Sequence, residues 1–363
     1  RMGRTHATLK DDHYLIKGNK IWVTNAGFAD LFVTFAKVDG ERFTAFLVER
    51  GPGLLVEREE HKLGLHGSST CRVVFDGVPV PVKNRLGAEG EGAHVALYTL
   101  NIGRFKIGAA ALGIAKEAWQ IGRSYAAERK QFGRAIIEYP LVWRKLAWGA
   151  TMLYAVESAL YRLADDLEQA FQAPGEQRQS VWRAAAAHYA AECALIKVAS
   201  TEMLHQIVDD ALQIHGGYGY SEEYPIAALY RDTRVNRIYE GTNEINRLNL
   251  VERLIYARRM GWWTPRQAQG SATDTVEATL ETLRWLTGRA LDALQAYAEP
   301  PQQLVEPLAD ALIALYLLDS AQTRARQTGR PAHQARVALY HEWVRRRLAG
   351  WAVDLAALTG EAF

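Results

Sequence analysis

The apolar periodicity of the chain changes once and does not change back. Up to about residue 86, β-branched and aromatic residues come in short runs: Tyr14-Leu-Ile, Ile21-Trp-Val, Leu31-Phe-Val-Thr-Phe, Phe43-Thr-Ala-Phe-Leu-Val and Arg72-Val-Val-Phe. These are broken by Gly18, Asp39-Gly40, Gly51-Pro52-Gly53 and Asp76-Gly77, the punctuation of strands and turns. From about residue 87 the apolar residues recur at helical spacing over long stretches. Closely spaced short strands predict a sheet or small barrel rather than parallel α/β units. Long helices joined by short loops predict a bundle. The expected class is α+β: a small antiparallel β-domain followed by an α-helical bundle.

At 363 residues the chain exceeds one ordinary core, so two or three domains are expected. Helices are predicted over about 92–125, 141–171 and 179–206, with another opening at Ile245. The first carries the small-residue run Gly108-Ala-Ala-Ala-Leu-Gly113, suited to close packing, and the second ends at Pro174-Gly175. Beyond residue 262, Asp274 with Glu277 can cap a helix bearing Val276, Leu280 and Leu283 on one face. Further helices are predicted over 304–318 and 337–358, separated by Pro300-Pro301 and Gly329-Arg-Pro331. The domain boundaries expected are 1–86, 87–262 and 263–363.

Hydrophobic content of 48% with 23% charged residues is soluble-globular composition. A formal charge of +2 gives no sign of a nucleic-acid partner, and none is expected. Cys71 and Cys193 are far apart and lack metal or redox spacing, so two reduced structural thiols and no metal site are expected. No run reaches the roughly 18 apolar residues of a membrane span.

The richest stretch is Tyr230-Arg-Asp-Thr-Arg-Val-Asn-Arg-Ile-Tyr-Glu-Gly-Thr-Asn-Glu-Ile-Asn246. After Ile245 the residues Leu248, Val251 and Ile255 recur at helical spacing, so Glu240 sits at the mouth of a helix on a turn that Gly241 permits. The helix dipole pulls such a carboxylate's pKa down and burial pulls it up, which suits a general base. By itself, a Glu-Gly-Thr before a helix is more often an ordinary surface glutamate. Glu128-Arg-Lys-Gln-Phe-Gly133 offers a guanidinium with the forked geometry that phosphate accepts, although a basic helix end is the commoner meaning. Gln213-Ile-His-Gly-Gly-Tyr-Gly219 has three glycines in four residues, allowing close backbone approach to a ligand, but does not have the spacing of a Rossmann fingerprint.

Taken together, these segments resemble the acyl-CoA dehydrogenases, in which Arg-Asp, a short apolar run and Tyr-Glu-Gly-Thr occur in this order. The resemblance covers residues 1–260 almost continuously. It implies an FAD cofactor, an acyl-CoA substrate, an electron-transfer flavoprotein as acceptor and a homodimer or higher homo-oligomer. Glu240 would abstract the α-proton of a fatty acyl thioester, giving the trans-2-enoyl product. Gly18-Asn-Lys-Ile-Trp-Val-Thr-Asn25 resembles the flavin-facing strand, with Trp22 covering the ring and Thr24 donating towards N5; a strand Trp is otherwise core packing. Arg129, Gln131, Phe132, Gln213, Gly216 and Gly217 would contact the dinucleotide of a neighbouring subunit, and Thr242, Asn243 and Glu244 would lie against the cofactor. Asn101, Arg104 and Gly241 would line the substrate site.

Some members carry the base immediately before the arginine of the Asn101-Ile-Gly-Arg104 segment; here that residue is Gly103, which leaves Glu240. Where many members have an aromatic-Gln pair this chain has Tyr139-Pro140, so that contact is not carried over. By the same resemblance an N-terminal helical domain is expected before Arg1, so that this chain alone is an incomplete enzyme. The helices beyond 263 resemble an extra C-terminal domain of the very-long-chain subgroup, which implies long-chain substrates. Trp343-Val-Arg-Arg-Arg-Leu with Trp351 could meet an anionic bilayer, or be a solvated face. The location implied is bacterial cytoplasm or mitochondrial matrix side, with possible peripheral membrane contact. An acyl-CoA oxidase on the same scaffold, or a truncated homologue acting in assembly, are the competing readings.

Overall fold

The computed structural model describes residues 4–172, 178–260 and 275–359. The chain divides into two compact units, Arg1–Leu100 and Asn101–Phe363.

The first unit is built on a seven-stranded sheet of order β5-β6-β2-β1-β3-β4-β7. The strands are β1 (His6–Lys10), β2 (His13–Thr24), β3 (Leu31–Val38), β4 (Arg42–Glu49), β5 (Leu54–Glu59), β6 (Thr70–Pro81) and β7 (Arg85–Leu86). Neighbours are antiparallel except β1 and β3, whose pairing is parallel. The sheet is therefore mixed at one position where a wholly antiparallel one was expected. Alternation along each strand sends one face inward: Tyr14 and Ile16 from β2, Phe32 and Val38 from β3, and Val73 and Phe75 from β6 form the core.

Gly18 and Asp76-Gly77 do not break strands, contrary to the sequence pattern. β2 and β6 run through them, with register shifts at Ile16/Lys17 and Lys20/Val23. Gly18 is required because its φ is +137° and a Cβ there would lie 2.7 Å from the Thr5 Cα. The second shift is a bulge in which Trp22 takes φ +57°, and such bulges re-aim side chains. Strands β1 and β5 were not legible: His6-Ala-Thr-Leu-Lys is short and polar, and β5 is mostly exposed.

The helices are α1 (Gly92–Glu128), α2 (Pro140–Ala170), α3 (Arg178–His188), α4 (Ala190–His215), α5 (Pro225–Thr233), α6 (Asn243–Arg259), α7 (Val276–Leu294), α8 (Gln302–Thr328) and α9 (Pro331–Thr359). The single helix expected over 179–206 is two, interrupted at Tyr189, and continues to His215. The expected loop at Pro174-Gly175 lies outside the described residues, as does Asp274. Thr275 caps α7 instead, its hydroxyl accepting from the Ala278 amide at 3.2 Å. Pro140 and Pro225 open α2 and α5 at their first turns, where the missing N–H costs nothing. Gly329 ends α8 at φ +61°. The run from Gly108 does allow close approach: a Cβ at 108 would lie 2.5 Å from the Ile196 Cγ2.

Helices α7–α9 share one apolar core with the bundle, in which Leu163, Leu204, Leu250, Leu283 and Leu308 are all buried. On α9, Trp351 faces this core, Arg345 and Arg346 bond Glu342, and Arg347 stands 4.3 Å over the Trp343 ring. No helix among the described residues is long and apolar enough to cross a membrane. Leu283→Ala is expected to lower unfolding free energy by about 2–5 kcal/mol, measured by denaturant melts. A loss restricted to a separate early transition would show that α7–α9 unfold on their own.

Candidate active site

Helix α5 and the 3-10 turn Arg234–Arg237 bring the chain to Tyr239. Glu240 and Gly241 then take φ +56° and +84°, and Thr242 caps α6, its hydroxyl accepting from the Ile245 amide at 3.3 Å. A glutamate in the left-handed region costs about 1–3 kcal/mol and persists only where its surroundings hold it. Here buried donors hold three successive carbonyls. Asn246 Nδ2 donates to the oxygens of Glu240, Gly241 and Thr242 at 3.4, 2.8 and 3.0 Å. Arg104 Nε donates to the Glu240 oxygen at 3.4 Å, and Lys197 Nζ to the Gly241 oxygen at 2.9 Å. Arg104 is fixed by Asn101, whose Oδ1 accepts at 3.1 Å while its amide donates to the Ala186 oxygen at 3.0 Å.

The Glu240 carboxylate rests on α1 beside Gly103, where an added Cβ would lie 3.2 Å from Oε2. That oxygen is buried and accepts no hydrogen bond among the described residues. Burial accordingly pushes the carboxyl's pKa up, with Arg104 and then Lys197 pulling it back. Of the two opposed pulls expected from sequence, burial wins. A carboxyl with one oxygen packed against α1 and given no donor is costly to keep ionised, so it holds the raised proton affinity that a base for a carbon acid needs.

Glu240, Gly241, Arg104 and Asn101 are thus brought together, and Thr242 and Glu244 are the cap and first turn of the adjoining helix. The Asn243 side chain, expected against a cofactor, turns inward instead; it is buried, accepts from Lys197 and donates to Thr201 and Glu202. Lys197 and Asn246 were missed. The available signal for Lys197 was a lysine inside the otherwise apolar run Ala194-Leu-Ile-Lys-Val-Ala199. Trp22 and Thr24 belong to the first unit, both exposed at the end of β2, Trp22 to 69%.

A second group forms elsewhere in the helical unit. The end of α1, the short hairpin β8 (Lys130–Gln131) and β9 (Arg134–Ala135), the start of α2 and the end of α4 enclose a groove of about 990 Å³. Arg129, Gln131, Phe132, Gly216 and Gly217 line it, whereas Gln213, exposed on the last turn of α4, does not. Tyr139 donates to the Gln131 oxygen at 2.9 Å and holds the hairpin. Tyr125 stacks on His215 with ring centroids 4.1 Å apart, and Arg129 lies 5.4 Å from the Tyr218 ring. At Gly216 and Gly217 a Cβ would meet nothing within 4 Å, so bare backbone faces the groove. A guanidinium, open glycine backbone and aromatic faces are a donor set that fits a dinucleotide's phosphates and rings. Arg104 is on α1 and Arg129 directly follows its last residue, 25 positions on, which is about 37 Å along a helix. The carboxylate and the groove are therefore separate places on one chain.

Against known proteins, two domain models match: the middle domain of acyl-CoA dehydrogenases over residues 2–78 and their C-terminal domain over 90–255. A probable acyl-CoA dehydrogenase of Bacillus subtilis is 44% identical over 251 residues, covering 68% of this chain and 42% of that protein. Relatives named for short chains in Clostridium acetobutylicum and for very long chains in Bos taurus are 39% and 36% identical, over 68% and 65% of this chain and 62% and 35% of theirs. The crystal structure of an FAD-complexed acyl-CoA dehydrogenase from Bacillus anthracis superposes with TM-score 0.88 at 35% identity, over 99% of this chain and 65% of that one. A chain in the structure of the electron transferring flavoprotein of Acidaminococcus fermentans gives TM-score 0.62 at 35% identity, over 70% of this chain and 64% of that one. The chain thus spans between about a third and two thirds of the length of the proteins it matches. With both models falling in order along it, and the surrounding fold shared, this chain belongs to the acyl-CoA dehydrogenase family.

Proposed function

We propose that the complete protein is an FAD-dependent acyl-CoA dehydrogenase in which Glu240 removes the α-proton of a long-chain acyl thioester. The observation that carries this reading is the buried, donor-free Oε2 of Glu240 on a left-handed turn, facing an α1 residue that has no side chain. An α-proton is weakly acidic, so the base must stay ionised yet keep its proton affinity; partial burial raises the affinity, and Arg104 and Lys197 limit the rise. Arg104 serves by fixing the Glu240 carbonyl, and Asn101 by fixing Arg104.

FAD is supported by the groove's donor set and by the FAD-complexed neighbour. When bound, the flavin supplies the two-electron acceptor for the hydride leaving the β-carbon. Trp22 and Thr24 would hold its ring, and Arg129, Gln131, Phe132, Gly216 and Gly217 its dinucleotide end. The separation along α1 supports a homodimer in which each groove serves the neighbouring subunit's flavin. The likeness to a chain of an electron-transferring flavoprotein structure supports that class of protein as the electron acceptor. Long-chain preference rests on the resemblance of the added helices to the very-long-chain subgroup.

The test is to titrate the full-length yellow protein anaerobically with acyl-CoA thioesters of increasing chain length and follow flavin absorbance. Saturable bleaching, fastest with long chains, is the expected result. A flavoprotein that no acyl-CoA bleaches would overturn the activity. Reoxidation by air with peroxide release, outpacing an electron-transferring flavoprotein, would make it an oxidase.

A further inference from the structure

Beneath the Glu240 turn lies a lysine that the reaction as described does not use directly. Lys197, in the middle of α4, is 0% exposed. Its Nζ donates to the Gly241 oxygen at 2.9 Å and to Asn243 Oδ1 at 2.7 Å. Both acceptors are neutral. Asn243 is itself held, donating to Thr201 Oγ1 at 3.0 Å and Glu202 Oε1 at 2.7 Å. A buried ammonium bonded to neutral oxygens is expensive, because carbonyl dipoles return only part of its lost hydration. It also stands at the N-terminal end of α6, where the helix dipole disfavours a cation. Anchoring one carbonyl needs a donor, not a charge, and the neutral amide of Asn246 already bonds the same Gly241 oxygen at 2.8 Å. The charge therefore has an effect that hydrogen bonding alone does not explain.

Resting on the acyl-CoA dehydrogenase reading, we infer that Lys197 is a positioning residue whose charge keeps Glu240 ionised and whose donors fix the direction of the catalytic turn. Its position explains both parts. One residue along the chain from its Gly241 contact is the carboxylate that burial would otherwise neutralise. The charged groups that act on Lys197 are Arg104 on α1, Glu202 on its own helix, and Glu240 and Glu244 about the start of α6. Burial and then Arg104 pull the ammonium down to about 8, while Glu202, Glu244 and Glu240 oppose that pull. It is thus charged at neutral pH and is the second cation, after Arg104, that lowers the Glu240 pKa. Arg104 is the greater of the two, but it reaches Glu240 through the carbonyl and is tied to Asn101.

The experiment uses the full-length flavin-loaded protein carrying Lys197→Met, which keeps the volume and removes donor and charge. Flavin bleaching by an acyl-CoA would be followed from acid to alkaline pH, alongside flavin content and melting temperature. The expected result is retained flavin, a bleaching rate about 10²-fold lower at neutral pH, as a misplaced base gives, and an acid-side inflection moved to higher pH. Lys197→Arg should return the inflection towards its original place. An unchanged rate and inflection in a folded Lys197→Met would overturn the inference. If neither Lys197→Met nor Lys197→Gln folds while Lys197→Arg folds with wild-type kinetics, the charge serves stability and the inference also fails. Glu240→Gln, run in parallel, separates the layers. Loss of bleaching there with none in Lys197→Met refutes only the role of Lys197, whereas bleaching that survives Glu240→Gln refutes Glu240 as the base.

Discussion

Replacing Glu240 by glutamine is expected to leave the protein folded and yellow and to cut acyl-CoA bleaching of the flavin by at least about 10²–10⁴-fold, the usual contribution of a positioned base. The substitution is nearly isosteric. The contacts that hold the turn go to the backbone oxygens of 240, 241 and 242, not to the carboxylate. The glutamine variant therefore inherits the turn and lacks only the ionisable carboxyl. The wild-type rate should fall on the acid side with an inflection above the ordinary glutamate range, because burial raises the pKa of the Glu240 carboxyl. Stability moves the other way. Folding raises this carboxyl's pKa, so ionising it costs the native state. That cost is absent below the ordinary carboxylate range, grows as pH rises through the folded pKa, and is complete above it. The glutamine protein should then melt no lower than wild type at neutral pH, and the gap should close under acid. Melting by calorimetry and anaerobic bleaching, run on the same preparations, check both halves. Undiminished bleaching would remove Glu240 from the chemistry.

Arg129→Glu is expected to strip the flavin. The guanidinium is exposed on the groove rim with its amide bonded to the Tyr125 oxygen, so its side chain can be inverted in charge without disturbing the fold. Losing a charged hydrogen bond to phosphate costs about 1.5–3 kcal/mol and a carboxylate there adds repulsion, so flavin affinity should drop by at least about 10²-fold. Flavin content after gel filtration measures this directly. The same variant tests whether a site is shared between subunits. Neither Glu240→Gln nor Arg129→Glu alone should bleach with substrate. Mixed one to one and allowed to exchange subunits, they should regain about a quarter of the sites, since half the dimers are mixed and each holds one intact combination. No recovery, with subunit exchange verified, would place Arg129 and Glu240 in the same subunit's site.

The sequence alone was enough for the α+β order, because a change from period-two runs to helical spacing is local information carried by consecutive residues. It was also enough to raise Glu240, Arg104 and the Arg129 and Gly216–Gly217 segments as candidates, because the family resemblance that points to them is carried by contiguous motifs. It could not show that Gly18 and Gly77 lie inside bulged strands, since a bulge depends on what the neighbouring strand presents: the Thr5 Cα at one position, a register shift at the other. Nor could it decide whether the pKa of Glu240 rises or falls. That balance is set by Gly103, Arg104 and Lys197, which lie 137, 136 and 43 positions away in the chain, and only folding brings them to the carboxylate. Burial and electrostatics depend on distance in space, so they were decided by the tertiary structure.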